Sequence, residues 1–192
     1  MFRAAVLCVL ILSNPVESLA QSLIAPAVPR TKMEALEARP GAVIVRSFAE
    51  IGRITYYKGD ALIVEARELA NLLTGEKQAG IAVILGEPDQ PAAGKVALID
   101  EDEVPALLKA IDAMGGLNHS TTTFEDFHAT YRTKGDFTIS ILGSPEGAVV
   151  SLSSGEVWRT TSPFTVGDLT SIRDLIIGAK AKLDLIKEEG EK

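Results

Sequence analysis

Phe164-Thr165-Val166-Gly167-Asp168-Leu169 and Ile99-Asp100-Glu101-Asp102-Glu103-Val104 are written to one helix-start design, and their reading decides the fold. Each places a cap residue (Thr165, Asp100) three positions before an acid (Asp168, Glu103), with apolar residues (Phe164 and Leu169, Ile99 and Val104) bracketing the cap as a hydrophobic staple. The apolar stripes that follow also correspond. Val104, Leu107, Ile111 and Met114 in one stretch match Leu169, Ile172, Ile176 and Ala179 in the other, at the spacing of one helix face. Helices are therefore expected over about Asp100–Met114 and Thr165–Ile186, and Gly115-Gly116 closes the first.

Short alternating segments precede each helix. Ala42–Phe48 is β-branched and apolar, and Ile51–Tyr57 alternates Ile54 and Tyr56 with Arg53, Thr55 and Tyr57. Lys58-Gly59-Asp60 then turns the chain into Ala61–Glu68, and Lys134-Gly135-Asp136 does the same between Phe127–Thr133 and Phe137–Leu142. Glycine at the centre of each turn supplies the positive φ of a tight hairpin, and Asp bonds the turn backbone. The tripeptide resembles an integrin-binding sequence, but a hairpin turn used twice accounts for it. Gly80–Leu85 and Lys95–Ile99 supply further strands of the first unit, around the loop Glu87–Gly94. Ala148–Ser153 and Glu156–Thr161 supply those of the second, after turns at 144–147 and 154–155.

The fold class implied is α+β: two ββββα units, antiparallel sheets packed with two helices. Asp60 precedes Asp100 by 40 residues and Asp136 precedes Thr165 by 29, so the first unit carries 11 more, within Leu69–Lys95. The domain reading is a signal peptide at 1–20, a leader of the mature chain at 21–41, units at 42–117 and 118–187, and a charged tail at 188–192. Met33–Arg39 forms two helical turns in the leader, stopped by Pro40-Gly41.

The signal reading rests on Arg3, the apolar run Ala4–Leu12, the break at Asn14-Pro15, and small residues ending in Ala20. The run is too short for a stable membrane span. Cys8 lies inside it behind bulky Leu7, so it belongs to the signal core rather than to a lipidation site. Cleavage after Ala20 predicts a secreted or periplasmic protein without cysteine, which excludes disulfides, thiol nucleophiles and thiolate metal sites. Arg3 and Glu17 leave together, so the net charge stays at −7. That balance argues against broad attraction to nucleic acid or anionic lipid.

Tyr57-Lys58-Gly59-Asp60-Ala61-Leu62-Ile63-Val64-Glu65-Ala66-Arg67-Glu68, followed by Val96-Ala97-Leu98-Ile99-Asp100-Glu101-Asp102-Glu103-Val104-Pro105-Ala106-Leu107-Leu108-Lys109, resembles the ββββα unit of the positive-cofactor-four transcriptional coactivators. Tandem use of the unit is similar to the plant Whirly proteins. The resemblance spans most of Ala42–Ile186 as architecture. It implies single-stranded DNA bound on curved sheets, and a homo-oligomer assembled through the helices. Fold does not fix function, so the architecture carries over and the ligand does not.

Nucleic-acid binding needs a basic groove interleaved with aromatics. Its candidates are Arg53, Tyr57, Arg67, Arg132, Trp158 and Arg159, with Asp60, Glu65, Glu68 and Asp136 among them. Asp100–Glu103 lacks the spaced ligands and central glycine of a calcium loop, and acids in a first helical turn are favoured by the helix dipole. His128 shares a sheet face with Asp126, and His119 lies in a loop; neither stands among further convergent ligands. No Gly-x-Ser-x-Gly elbow, phosphate loop or dinucleotide fingerprint occurs, so no catalytic residue, metal ligand or cofactor is assigned and a hydrolase is a minority reading. One surface is suggestive. Thr130, Arg132, Thr138, Ser140, Ser151, Ser153, Arg159 and Thr161 sit at alternate positions of the second unit's strands; aligned in register they make a hydroxyl-rich face, which is either the ordinary solvated face of an antiparallel sheet or a shallow surface for a polar polymer or a partner protein.

Overall fold

The computed structural model describes residues 28–55, 61–86, 95–118, 120–154 and 164–190. The signal segment with Cys8, the Lys58-Gly59-Asp60 turn with Tyr57, the loop Glu87–Gly94, His119, and the expected strand Glu156–Thr161 with Trp158 and Arg159 all lie outside them. The fold is α+β. A four-stranded antiparallel sheet has the order β1 (Ile44–Thr55), β2 (Ala61–Asn71), β3 (Lys77–Gly86), β4 (Lys95–Asp100), and a three-stranded one the order β5 (Phe127–Arg132), β6 (Thr138–Ser144), β7 (Gly147–Ser153). Helix α2 (Val104–Gly115) follows the first sheet, and α3 (Asp168–Gly190) follows the second. Phe164 bridges to Val150 on the outer side of β7, with backbone hydrogen bonds of 2.9 Å in both directions.

Both helix stripes are buried. Val104, Leu107, Ile111 and Met114 of α2 and Leu169, Ile172, Ile176 and Ala179 of α3 join one core. Alternation along the strands decides what meets them: Leu62, Val64 and Ala66, Ile81, Val83 and Leu85, and Ala97 and Ile99 point inward from the first sheet. Ile139, Ile141, Val150 and Leu152 do so from the second. The two sheets and two helices thus share a single apolar interior. Close approach of α3 to β1 uses glycine on each side, since a Cβ on Gly52 would fall 2.8 Å from Leu175 and one on Gly178 3.0 Å from Ile51.

Two local readings change, at β1 and at the turn after β5. The segments Ala42–Phe48 and Ile51–Tyr57 are not two strands: residues 44–55 run as one, with a bulge between Glu50 and Gly52 that interrupts the alternation. Part of the extra length within Leu69–Lys95 is strand. β2 and β3 are 11 and 10 residues long, where β6 and β7 are 7 and 7. At the turn after β5, the positive φ (66°) belongs to Asp136, not to Gly135. Gly135 is required for a different reason: a Cβ there would lie 1.9 Å from the Leu98 carbonyl oxygen on β4.

The caps are also rearranged. Thr165 and Asp168 do meet, the Asp168 carboxylate accepting the Thr165 N–H (2.7 Å) and hydroxyl (2.8 Å), but regular helix begins at Asp168 itself. Asp100 makes no side-chain bond to the 3-10 turn it precedes (Glu101–Glu103). Its carboxylate instead accepts the backbone N–H groups of Lys32 (2.8 Å) and Met33 (3.3 Å), at the start of α1 (Lys32–Glu37). That helix has its own capping box between Thr31 and Glu34. It packs Met33 and Leu36 on Leu69, Ala82 and Leu98, covering part of the first sheet's outer face.

Candidate functional site

The second sheet presents one face to the core and the other to solvent. Along β5 the alternation is regular, with Phe127, Ala129 and Tyr131 turned in and His128, Thr130 and Arg132 exposed. The pairing register then assembles the outer face in rows. His128 lies opposite Leu142, which lies opposite Val149; Thr130, Ser140 and Ser151 form the next row; Arg132, Thr138 and Ser153 form the third. Six of the eight residues that strand alternation puts on this face are therefore brought together, and the other two, Arg159 and Thr161, are among the residues not described.

Strand geometry sets the dimensions of this lattice: hydroxyl-bearing side chains stand about 4.8 Å apart across the strands and about 6.7 Å apart along them. Thr130 Oγ1 lies 3.3 Å from Ser140 Oγ and 3.2 Å from His128 Nε2, so the hydroxyls are joined to one another and to the imidazole. Arg132 is paired at the end of its row. Its Nε donates to Asp136 Oδ1 at 2.7 Å, and Asp136 also pairs with Arg30. The first row is different in kind, because Leu142 and Val149 are 63% and 51% exposed beside His128. A hydroxyl both donates and accepts, so the face suits a ligand that offers mixed donors and acceptors without net charge. The apolar row adds a place for the ligand's less polar side.

Of the residues considered for nucleic acid, Arg132 belongs to this face, Tyr57, Trp158 and Arg159 lie outside the described residues, and Arg53 and Arg67 are placed elsewhere. Arg53 and Arg67 lie on the outer face of the first sheet, opposite Ile63 and Phe48 in register. Arg53 donates to Glu50 at 2.9 and 2.8 Å, and Arg67, largely covered, donates to Glu65 at 2.6 Å. The Glu65–Arg67 pairing was legible from their i, i+2 spacing on one strand face, a signal that counting cations alone passes over.

A cleft of about 1060 Å³ runs between α1, β3 and the end of α3, lined by Lys32, Lys77, Asp100, Glu101, Asp102 and Lys187 among others. Those charges are already engaged: Lys32 with Asp102, Lys77 with Glu68, Lys187 with Glu101, and Asp100 with the start of α1. The acidic run 100–103 is thus a hub of structural contacts, completed by Glu103, which accepts the Lys134 N–H at 3.0 Å. Among the described residues no group of three or more His, Cys, Asp or Glu side chains is placed to hold a metal ion, and no helix is long and apolar enough to cross a membrane. Comparison with protein-family models, curated proteins and solved structures finds no match to this chain.

Proposed function

We propose that this protein is an exported, non-catalytic binding module, built from a duplicated strand–helix unit, whose contact surface is the outer face of the second sheet. The observation that carries the reading is the registered pair of hydroxyl rows, Thr130–Ser140–Ser151 and Arg132–Thr138–Ser153. The partner's chemistry follows from the face: a neutral, hydroxyl-bearing polymer, or a protein surface of like polarity, laid across the strands. Export rests on the signal-like segment ending at Ala20. N-terminal sequencing of the exported protein should begin near Gln21, and recovery of Met1 from mature material would remove the export half of the reading.

Binding is tested by affinity electrophoresis through gels containing soluble neutral polysaccharides, with wild type and a Ser140→Val, Ser151→Val variant compared. Retardation by a polysaccharide that persists as salt is raised, and is lost in the variant, is the expected result. Migration that is equal in both proteins across all gels would overturn the polymer partner.

A second reading has one supporting observation, the succession of four antiparallel strands and a helix that resembles the single-stranded-DNA-binding units. It requires oligonucleotide binding that weakens steeply with salt. The net charge of −7 and the pairing of Arg53 and Arg67 with acids weigh against it.

A further inference from the structure

We propose that β1 is the contact strand of a symmetric homodimer, two copies pairing antiparallel about Phe48 to join their first sheets into one. This inference is independent of the role given to the second sheet. β1 is an edge: among the described residues it pairs with β2 alone. The Val43 carbonyl accepts the Leu72 N–H at 2.9 Å, which fixes the alternation of the backbone. Odd-numbered residues up to Ala49 turn their N–H and C=O groups to β2, and Ile44, Arg46, Phe48 and Glu50 turn theirs to the free edge. The side chains of the latter set share the outer face with their partners Asn71, Leu69, Arg67 and Glu65. Phe48 stands in the middle of this edge, 67% exposed.

The sequence around it is self-complementary. With a twofold axis through Phe48, Arg46 faces Glu50 of the partner subunit, Glu50 faces the partner subunit's Arg46, and the two phenylalanines meet. Each of these is a hydrogen-bonded antiparallel pair, with both backbone bonds exchanged. An axis one residue away, through Ser47, would set Arg46 against a phenylalanine and Ile44 against a glutamate, so charge selects the register. Existing ion pairs extend it: Glu37 binds Arg46 at 2.7 Å and Arg53 binds Glu50 at 2.8 Å, giving a row of alternating sign across the axis.

Two features limit the contact to a closed dimer. The bulge after Glu50 ends the regular run, so the pairing is short. At the opposite edge of the sheet, the turn at Gly135 sits against the Leu98 carbonyl of β4, which blocks a further strand from adding there. An isologous contact at one edge, with the other covered, gives two copies and no fibre.

The test is sedimentation equilibrium of the purified protein over a wide loading range, with circular dichroism to confirm that each variant is folded. Wild type should pass from monomer to dimer mass with concentration. Phe48→Lys should remain monomeric throughout. Arg46→Glu and Glu50→Arg should each weaken association by on the order of tenfold or more, and the double exchange R46E/E50R should associate more tightly than either single variant, though less tightly than wild type because Glu37 and Arg53 then face like charges. A wild-type chain monomeric to about 1 mM would overturn the proposal. So would a dimer indifferent to Phe48→Lys, or a double exchange that associates no more tightly than the single variants.

Discussion

The Asp100 carboxylate at the end of β4 accepts the backbone N–H of Lys32 at 2.8 Å, across 68 residues of chain. One buried acid thereby ties the first helix to the strand that leads into the second. Replacing it with Ala leaves two helix-start N–H groups without their acceptor, at a cost of about 1–3 kcal/mol. Asp100→Asn keeps an acceptor oxygen and should lose less. Urea unfolding midpoints order the three proteins, and an Asp100→Ala midpoint equal to wild type would refute the assignment.

Gly135 offers a sharper contrast. Its missing Cβ leaves room for the Leu98 carbonyl, which is backbone and can give way only if the chain of β4 or the turn shifts. Gly135→Ala should lower stability by about 1–3 kcal/mol, a melting shift of roughly 2–10 °C for a chain of this size. Gly116→Ala is the matched control, because the nearest atom to its new methyl is 3.6 Å away. Equal melting shifts in the two variants would contradict the packing described.

In α3, adjacent isoleucines have opposite fates. Ile176 is fully buried and Ile177 is 39% exposed. Ile176→Ala should cost about 2–5 kcal/mol, and Ile177→Ala about 0.5 kcal/mol or less. Chemical denaturation of both distinguishes the stripe from its neighbour, and a reversed order would mean that the helix is rotated.

These isoleucines mark what was legible in the sequence. Helix period and strand alternation depend on burial, which repeats every few residues, so both stripes and both sets of inward-facing strand residues could be read locally. The hydroxyl rows were legible for the same reason, once the hairpin turn at 134–136 set the register. Asp100 misled because its spacing to Glu103 is that of a local cap, and spacing carries no record of a competing N–H far away in the chain. Phe48 was passed over because its exposure depends on β1 lying at an edge, and strand order is not a local property. The bulge at 50–52 likewise disguised one strand as two.

Acid should loosen the surface before the core. Glu50, Glu76 and Asp102 are each held below the usual carboxylate range, first by the hydrogen bond from Arg53, Arg39 and Lys32 respectively. A carboxylate so depressed adds stability that is present above its unfolded pKa and is lost as pH falls through the folded one. The acid decline attributable to these pairs should therefore begin below about pH 4. Lys32 and Lys180 are raised, first by bonds to Asp102 and Asp184, and burial raises Tyr131. Their contributions hold below the unfolded values and fade as pH climbs past about 10. The ion pairs are exposed, so about 1 M salt should flatten their share of both limbs. Unfolding midpoints across pH at two salt concentrations measure this, and limbs equally steep in high salt would count against it.

The common interior of the two sheets makes the crossing at 116–126 a place where the chain can be cut but not shortened to either side. A fragment ending there keeps the four-stranded sheet with α1 and α2, yet lays bare the surface that Ile139, Val150, Ile172 and Ile176 normally fill. The complementary fragment has only three described strands and α3, with nothing opposite. Neither piece should then be stable alone, and each supplies the other's missing hydrophobic partner. Fragments 1–117 and 118–192, unfolded apart, should reassemble on mixing, so the crossing serves as a natural split point for a reporter of proximity.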